Sequence, residues 1–218
     1  MLTDDFAVQR QNMVREQLRA RGIQDGRVLA AMAQVPRHEF VDQEYRDQAY
    51  DDHPLPIGEG QTLSQPYIVA IMLEVLSLTG SETVLEIGTG SGYEAALLGK
   101  LASRVYSMER HGSLASAAEK ILGRLGFHNV TVVVGDGSEG LPDHAPFDGI
   151  VVSAAAPRIP KALFDQLGEG GRLVVPVGPA YAQELQLVRK QDGRALVVNL
   201  EGCRFVPLIG GQGYPEGW

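Results

Sequence analysis

The run Thr83-Val-Leu-Glu-Ile-Gly-Thr-Gly-Ser-Gly-Tyr93 constrains this chain more than any other stretch. A β-prone apolar segment (Val84, Leu85, Ile87) ends in three alternating glycines, Gly88, Gly90 and Gly92, and a helix-forming stretch follows. Glycines at such a turn permit positive φ and let a ligand approach the backbone closely. The N-terminus of the next helix presents unpaired N–H groups. Together these describe a nucleotide-type pocket at the carboxyl end of a parallel strand, and they commit the chain to an α/β architecture.

From Ser64 onward the pattern is strand–helix alternation. Strands are expected at 83–88, 104–109, 130–135, 147–153 and 172–177, and helices at about 66–78, 92–102, 112–125 and 160–168. That alternation predicts a doubly wound, mostly parallel sheet of Rossmann-like type, covered on both faces. Residues 184–190 and 195–200 read as two more strands joined across Asp192-Gly193, a strong hairpin signal, so an antiparallel hairpin should finish the sheet. Residues 1–60 have a different texture. Phe6, Met13, Val14 and Leu18 follow helical spacing up to Gly22, and a second helical stretch at 27–35 ends at Pro36. An irregular aromatic and acidic segment and a turn-rich stretch at 54–60 come next. This region is expected to form a helical cap and loop within the same domain as residues 61–218, laid over one edge or end of it.

The chain has 218 residues, enough for one domain with a full core. Its net charge of −8 argues against a nucleic-acid groove, which needs a concentrated basic face. No apolar run approaches a membrane span. The acidic opening Met-Leu-Thr-Asp-Asp-Phe, followed by no apolar stretch, predicts no secretory signal and a cytoplasmic location. The single cysteine, Cys203, rules out an internal disulfide and thiolate metal clusters, and no metal is expected.

The loop itself narrows the ligand. A dinucleotide site expects G-x-G-x-x-G, but here the spacing is G-x-G-x-G and Tyr93 takes the place of the third glycine. No G-K-[ST] follows, so the triphosphate-binding loop is missing too. Glu86 would repel a pyrophosphate and suits a cationic ligand end, such as the amino group of a methionine-like moiety. Glu109, seventeen residues after Gly92 at the end of the second strand, can accept both hydroxyls of a ribose. Asp136, in Gly135-Asp136-Gly137 after the third strand, offers a carboxylate to an exocyclic amine such as that of adenine. Glu109 and Asp136 alone could each be a helix cap or a solvated strand end, and tight turns use glycine everywhere. The glycine loop, Glu109 and Asp136 in order, each at the carboxyl edge of a successive strand, favour a ligand with an amino-acid end, a ribose and an adenine but no phosphates. That ligand is S-adenosylmethionine, with Glu86, Gly88, Thr89, Gly90, Glu109, Asp136 and Gly137 as the expected contacts.

Over nearly its whole length the chain resembles the bacterial protein-L-isoaspartate O-methyltransferases. The resemblance is carried by Val35-Pro-Arg-His-Glu-Phe-Val41, Pro54-Leu-Pro-Ile-Gly58 and, most specifically, Gly60-Gln-Thr-Leu-Ser-Gln-Pro-Tyr67. The cofactor loop, Phe147-Asp-Gly-Ile-Val-Val-Ser-Ala-Ala-Ala-Pro157, Gly170-Gly-Arg-Leu-Val-Val-Pro-Val-Gly178 and Arg204-Phe-Val-Pro-Leu208 complete it. Departures are Leu63 for a common isoleucine, Ser153 for threonine and Glu94 for glutamine.

The resemblance implies methyl transfer from S-adenosylmethionine to the α-carboxylate of L-isoaspartyl residues in damaged proteins. The methyl ester then closes to a succinimide, which hydrolyses partly back to aspartate. S-adenosylhomocysteine is the other product. Such an acceptor is already ionised, so no general base is needed. His38 is accordingly read as a packing or capping residue. The resemblance makes Ser64 the group that positions the acceptor, by donating its hydroxyl to the carboxylate; the residues alone read equally as a helix cap before Pro66. Thr62 and Gln65 are expected in the same loop. Val206 and Pro207 are expected at an edge that meets the peptide. The chain is expected to act as a monomer on isoaspartyl peptides and age-damaged proteins. Two other readings remain at this point: a methyltransferase for a small molecule or nucleic acid, and a non-catalytic cofactor-binding module.

Overall fold

The computed structural model describes residues 5–179 and 181–217. The N-terminal helix α1 (Asp5–Asn12) continues through a π-helical turn, Met13–Leu18, and a 3-10 turn, Arg19–Arg21, and stops at Gly22 with φ +100°. Helix α2 (Gly26–Gln34) begins at Asp25, whose side chain accepts from the N–H groups of Arg27 and Val28. Two 3-10 turns, Arg37–Phe40 and Gln43–Gln48, occupy the irregular aromatic segment. A short antiparallel ribbon, β1 (Leu55–Pro56) with β2 (Thr62–Leu63), then delivers the chain to α3 (Pro66–Leu76).

The main body runs β3 (Thr83–Ile87), α4 (Tyr93–Leu101), β4 (Arg104–Glu109), α5 (Gly112–Arg124), β5 (Val130–Val134), β6 (Phe147–Val152), α6 (Lys161–Gln166), β7 (Leu167–Val177), β8 (Gln183–Gln191) and β9 (Arg194–Cys203). They form one seven-stranded sheet in the order β5-β4-β3-β6-β7-β8-β9. Pairs from β5 to β7 are parallel, and β8 and β9 are added antiparallel. The hairpin between them turns at Asp192 and Gly193, both at positive φ (+52° and +70°), as a twist-matched two-residue turn requires.

Alternation along the buried strands sorts the core into two layers. Val84, Val105, Val151 and Val174 face one cluster, which also takes in Met13, Leu18, Met32, Leu73 and Leu97 from the helices. Leu85, Ile87, Ile150, Val152 and Leu173 face the other, closed by Leu163 of α6 and Leu208. The N-terminal helices therefore share a continuous core with α3 and α4. Each fully buried aliphatic side chain contributes about 1.5–3 kcal/mol of transfer free energy to that layering.

One boundary differs from the sequence expectation. The strand expected at 172–177 begins at Leu167, and the helix before it ends at Gln166. Leu167 pairs with Phe147 and Arg172 with Gly149, so a bulge absorbs the glycine-rich stretch between them. Glycines 168, 170 and 171 carry no apolar signal that could announce a strand.

The chain order reverses on either side of β3, which lies between β4 and β6. The crevice at the carboxyl ends of β3, β4 and β6 is where an open α/β sheet takes its ligand.

Candidate functional site

Gly88, Gly90 and Gly92 all lie at positive φ (+95°, +52° and +90°), so the loop after β3 can turn into α4 without strain. The N–H groups of Gly88 and Thr89 donate to the Met108 carbonyl at 2.8 and 3.1 Å, which folds the loop over the end of β4. Glu109, the last residue of β4, accepts from the Gly90 N–H and the His111 N–H, each at 2.9 Å. Its carboxylate is thus held rigidly at the cavity wall. A cavity of about 130 Å³ lies here. It brings together Thr62, Ser64, Gly88, Thr89, Gly90, Glu109, Gly137, Val206 and Pro207 of the residues marked in the sequence. A wider groove of about 970 Å³ adjoins it and shares Thr62, Ser64, Ser153, Val206 and Pro207.

Three sequence-marked residues stand back from the inner cavity. Gln65 lines the outer groove and donates to the carbonyl and the carboxylate of Asp52 at 3.0 and 2.9 Å. Asp136 accepts from the N–H and hydroxyl of Ser138 and from the Gly211 N–H at 2.8 Å, so it anchors the tail that follows β9. Burial alone would raise its carboxyl; the Gly211 and Ser138 hydrogen bonds and the charge of Arg110 hold it below the usual range. Glu86 is fully buried beneath the cavity and accepts from the Ser107 hydroxyl. The segment at Val206 and Pro207 is tied to the residues after β6: Ala155 N–H donates to the Val206 carbonyl, and Leu208 N–H to the Ala155 carbonyl, both at 2.8 Å.

Ser64 is not the cap of α3. Gln65 holds the cap position and caps with no side-chain bond; instead Asp52 reaches in and accepts from the Tyr67 N–H at 3.3 Å. The Ser64 hydroxyl makes no hydrogen bond with any described residue, while the Ser64 carbonyl accepts from the Arg37 guanidinium at 2.7 Å. Arg37 is fully buried, also donates to the Ala49 carbonyl at 2.7 Å and lies over the Tyr93 ring at 4.8 Å. Burial pulls its pKa down to about 10, although the nearby tyrosines and Asp52 act in the other direction. The arginine fixes the backbone of the loop and leaves its hydroxyl free. His38 stacks on Phe6 at 4.2 Å and bonds to the Tyr50 hydroxyl at 2.8 Å, a packing role at a distance from the cavity.

Glu94 and Ser153, noted in the sequence only as departures from the family, and Ser107 had no site role assigned. Glu94, in the first turn of α4, lines the cavity and accepts from the Ser153 hydroxyl at 2.5 Å. Burial raises its pKa to about 7, with the Ser153 bond opposing. Burial, reinforced by Glu94 and Glu109, also lifts Glu86 well above the usual carboxylate range against the Ser107 bond. Ser107 in turn bonds to Thr89 at 2.5 Å. The available signal was a serine near the carboxyl end of each of two otherwise apolar strands, and an arginine within an aromatic segment.

The donor set suits a ligand with cationic and hydroxyl-bearing parts. One oxygen each of Glu86 and Glu94 is buried with no hydrogen-bond partner among the described residues, and the Glu109 carboxylate faces the cavity. No group of three or more His, Cys, Asp or Glu side chains among the described residues is placed to hold a metal ion. The sheet order, the glycine loop after its first parallel strand and the acid closing the next define a Rossmann-like methyltransferase of class I.

Within that class, the family model for protein-L-isoaspartate(D-aspartate) O-methyltransferase matches residues 8–213, and the chain belongs to that family. It is 58% identical over 209 residues to a protein-L-isoaspartate O-methyltransferase of Koribacter versatilis, covering 96% of this chain and 94% of that one. Among solved structures it is similar to a protein-L-isoaspartate O-methyltransferase at TM-score 0.85 and 32% identity, covering 94% of this chain and 67% of the other. A second, from Plasmodium falciparum in complex with S-adenosyl-L-homocysteine, matches at TM-score 0.80 and 26% identity over 92% of this chain and 98% of that one.

Proposed function

We propose that the chain transfers a methyl group from S-adenosylmethionine to the α-carboxylate of L-isoaspartyl residues in damaged peptides and proteins, which starts their repair through a succinimide. Family membership supports the reaction. The observation that carries the assignment of the site is the Ser64 hydroxyl: backbone-fixed by Arg37, free of partners among the described residues, and shared by the inner cavity and the outer groove.

S-adenosylmethionine supplies a methyl group already activated on a sulfonium. The Glu109 carboxylate would hold the ribose hydroxyls, the loop at Gly88, Thr89 and Gly90 would carry the amino-acid end, and Gly137 would lie against the adenine. Glu86 and Asp136 would support these contacts from behind. The acceptor is ionised at neutral pH, so no residue has to remove a proton. The chain's task is alignment, and effective molarities of about 10⁵–10⁸ M for well-oriented pairs show how much that can contribute. Ser64 donates to the acceptor, Thr62 and Gln65 shape the loop around it, and Val206 and Pro207 border the peptide. Val206–Leu208 and the loop wall the cavity and limit water around the reacting groups while two opposite charges are neutralised.

The outer groove suits an extended peptide rather than a nucleic acid, consistent with the net charge of −8. No helix among the described residues is long and apolar enough to cross a membrane. We take the enzyme to act as a cytoplasmic monomer. Incubation with S-adenosylmethionine and an isoaspartyl peptide should add one methylene unit to the peptide as a base-labile ester, followed by a succinimide. Recovery of the peptide with neither ester nor succinimide at any time point, and with no S-adenosylhomocysteine formed, would overturn the assignment.

A further inference from the structure

Glu86 and Glu94 are both almost wholly inaccessible, at 0% and 7% exposure, and neither forms an ion pair among the described residues. Each has one oxygen bonded to a serine hydroxyl, from Ser107 and Ser153, and a second oxygen that is buried without a partner. The basic groups near the site are engaged elsewhere. Arg37 donates to the carbonyls of Ala49 and Ser64, Arg110 pairs with Glu216 at 2.7 Å, and His111 faces Glu59 at 3.8 Å. Glu109, from β4, adds a further negative charge on the same side. Two buried carboxyls with no counter-cation do not both ionise near neutral pH; one proton stays with the pair.

Of the two, Glu94 is the one that reaches the cavity, alongside Ser64 and Ser153. As an acid, Glu94 leaves the cavity wall uncharged; as a carboxylate, it places an unscreened negative charge beside the cavity. The acceptor brings a carboxylate into the same space, on the reading of function given above.

We propose that Glu94 is a proton-dependent specificity residue, whose neutral acid form admits the acceptor carboxylate beside Ser64 and whose ionised form repels it. Burial, which lifts its pKa to about 7, puts that switch within the working range. The cationic methyl donor responds with the opposite sign, because an ionised Glu94 attracts it. Raising the pH therefore weakens binding of the acceptor and not of the donor.

The test compares wild type with Glu94→Gln, which keeps the shape and stays neutral but does not titrate. Peptide KM at saturating S-adenosylmethionine is measured from about pH 6 to about pH 9. In wild type the peptide KM should rise by up to about tenfold per pH unit above the transition, while the donor KM does not rise. In E94Q the peptide KM should stay level. An infrared carbonyl band of a buried carboxylic acid should titrate in wild type and be diminished in E94Q. Parallel KM profiles for the two proteins, or an acid band unchanged by the substitution, would overturn the inference while leaving the methyl transfer intact. Absence of transfer by wild type at every pH would overturn the functional reading and the inference together.

Discussion

Substituting Ser64 by alanine separates catalysis from stability more cleanly than any other change at this site. The hydroxyl is bonded to no described residue, and the contact that fixes the loop runs from Arg37 to the Ser64 carbonyl, which alanine retains. Without a lost intramolecular bond, the stability change should stay within about 0.5 kcal/mol, or roughly 1–2 °C in Tm for a chain of this size. The acceptor, by contrast, loses a hydrogen bond to a charged group, worth about 1.5–3 kcal/mol. If that bond forms in the transition state, kcat/KM should fall roughly 10- to 150-fold. Initial rates of methyl transfer to an isoaspartyl peptide, measured beside thermal denaturation and donor binding, read all three quantities. Unchanged kcat/KM would remove Ser64 from the site. A Tm loss of several degrees would mean that its hydroxyl has a structural partner and that the reasoning from a free hydroxyl is wrong.

Arg37→Met removes both bonds to the Ala49 and Ser64 carbonyls but also relieves the burial of a charge, so a net cost of about 1–3 kcal/mol is expected. Turnover measured well below Tm should fall as well, and a folded variant with normal turnover would detach Arg37 from Ser64. Glu109→Gln leaves a donor facing one of the N–H groups of Gly90 and His111 and weakens the ribose contact; donor KM should rise about tenfold or more, with peptide KM little changed. Stability should depend on pH through Glu94. Its folded pKa, raised to about 7 by burial, lies above the unfolded value, so the native state binds the extra proton and its stability falls as pH rises through that range. Urea midpoints should therefore be lower at about pH 8 than at about pH 5.5 in wild type, and the difference should shrink in E94Q.

How much of this was legible follows from what each residue answers to. Strand positions β3 to β6 could be read to within a residue because buried parallel strands are continuous apolar runs. The Asp192-Gly193 turn could be read because few other pairs supply positive φ twice. The start of β7 could not, since glycines 168, 170 and 171 enter the sheet through pairing with β6 and not through their own preference. The π-helical turn at Met13–Leu18 is likewise set by packing against α3 and leaves apolar spacing almost unchanged.

At the site, Gly88, Gly90 and Glu109 were readable from loop chemistry and strand order. Arg37 was not, because its task is to satisfy the carbonyls of Ala49 and Ser64, 12 and 27 residues away in the chain. The burial of Glu86 and Glu94 on the same side of the sheet also depends on tertiary structure: Ser107, bonded to Glu86, lies in β4, and Ser153, bonded to Glu94, lies just after β6. Asp136 was marked for its place after the third strand, and only the folded tail reveals its bond to Gly211.

The central claim is tested most directly by methyl incorporation from labelled S-adenosylmethionine into two peptides of identical sequence, one with an isoaspartyl and one with an aspartyl linkage. The account predicts strong labelling of the isoaspartyl peptide alone. Equal labelling of both, or labelling of neither by enzyme that binds the donor, would contradict it.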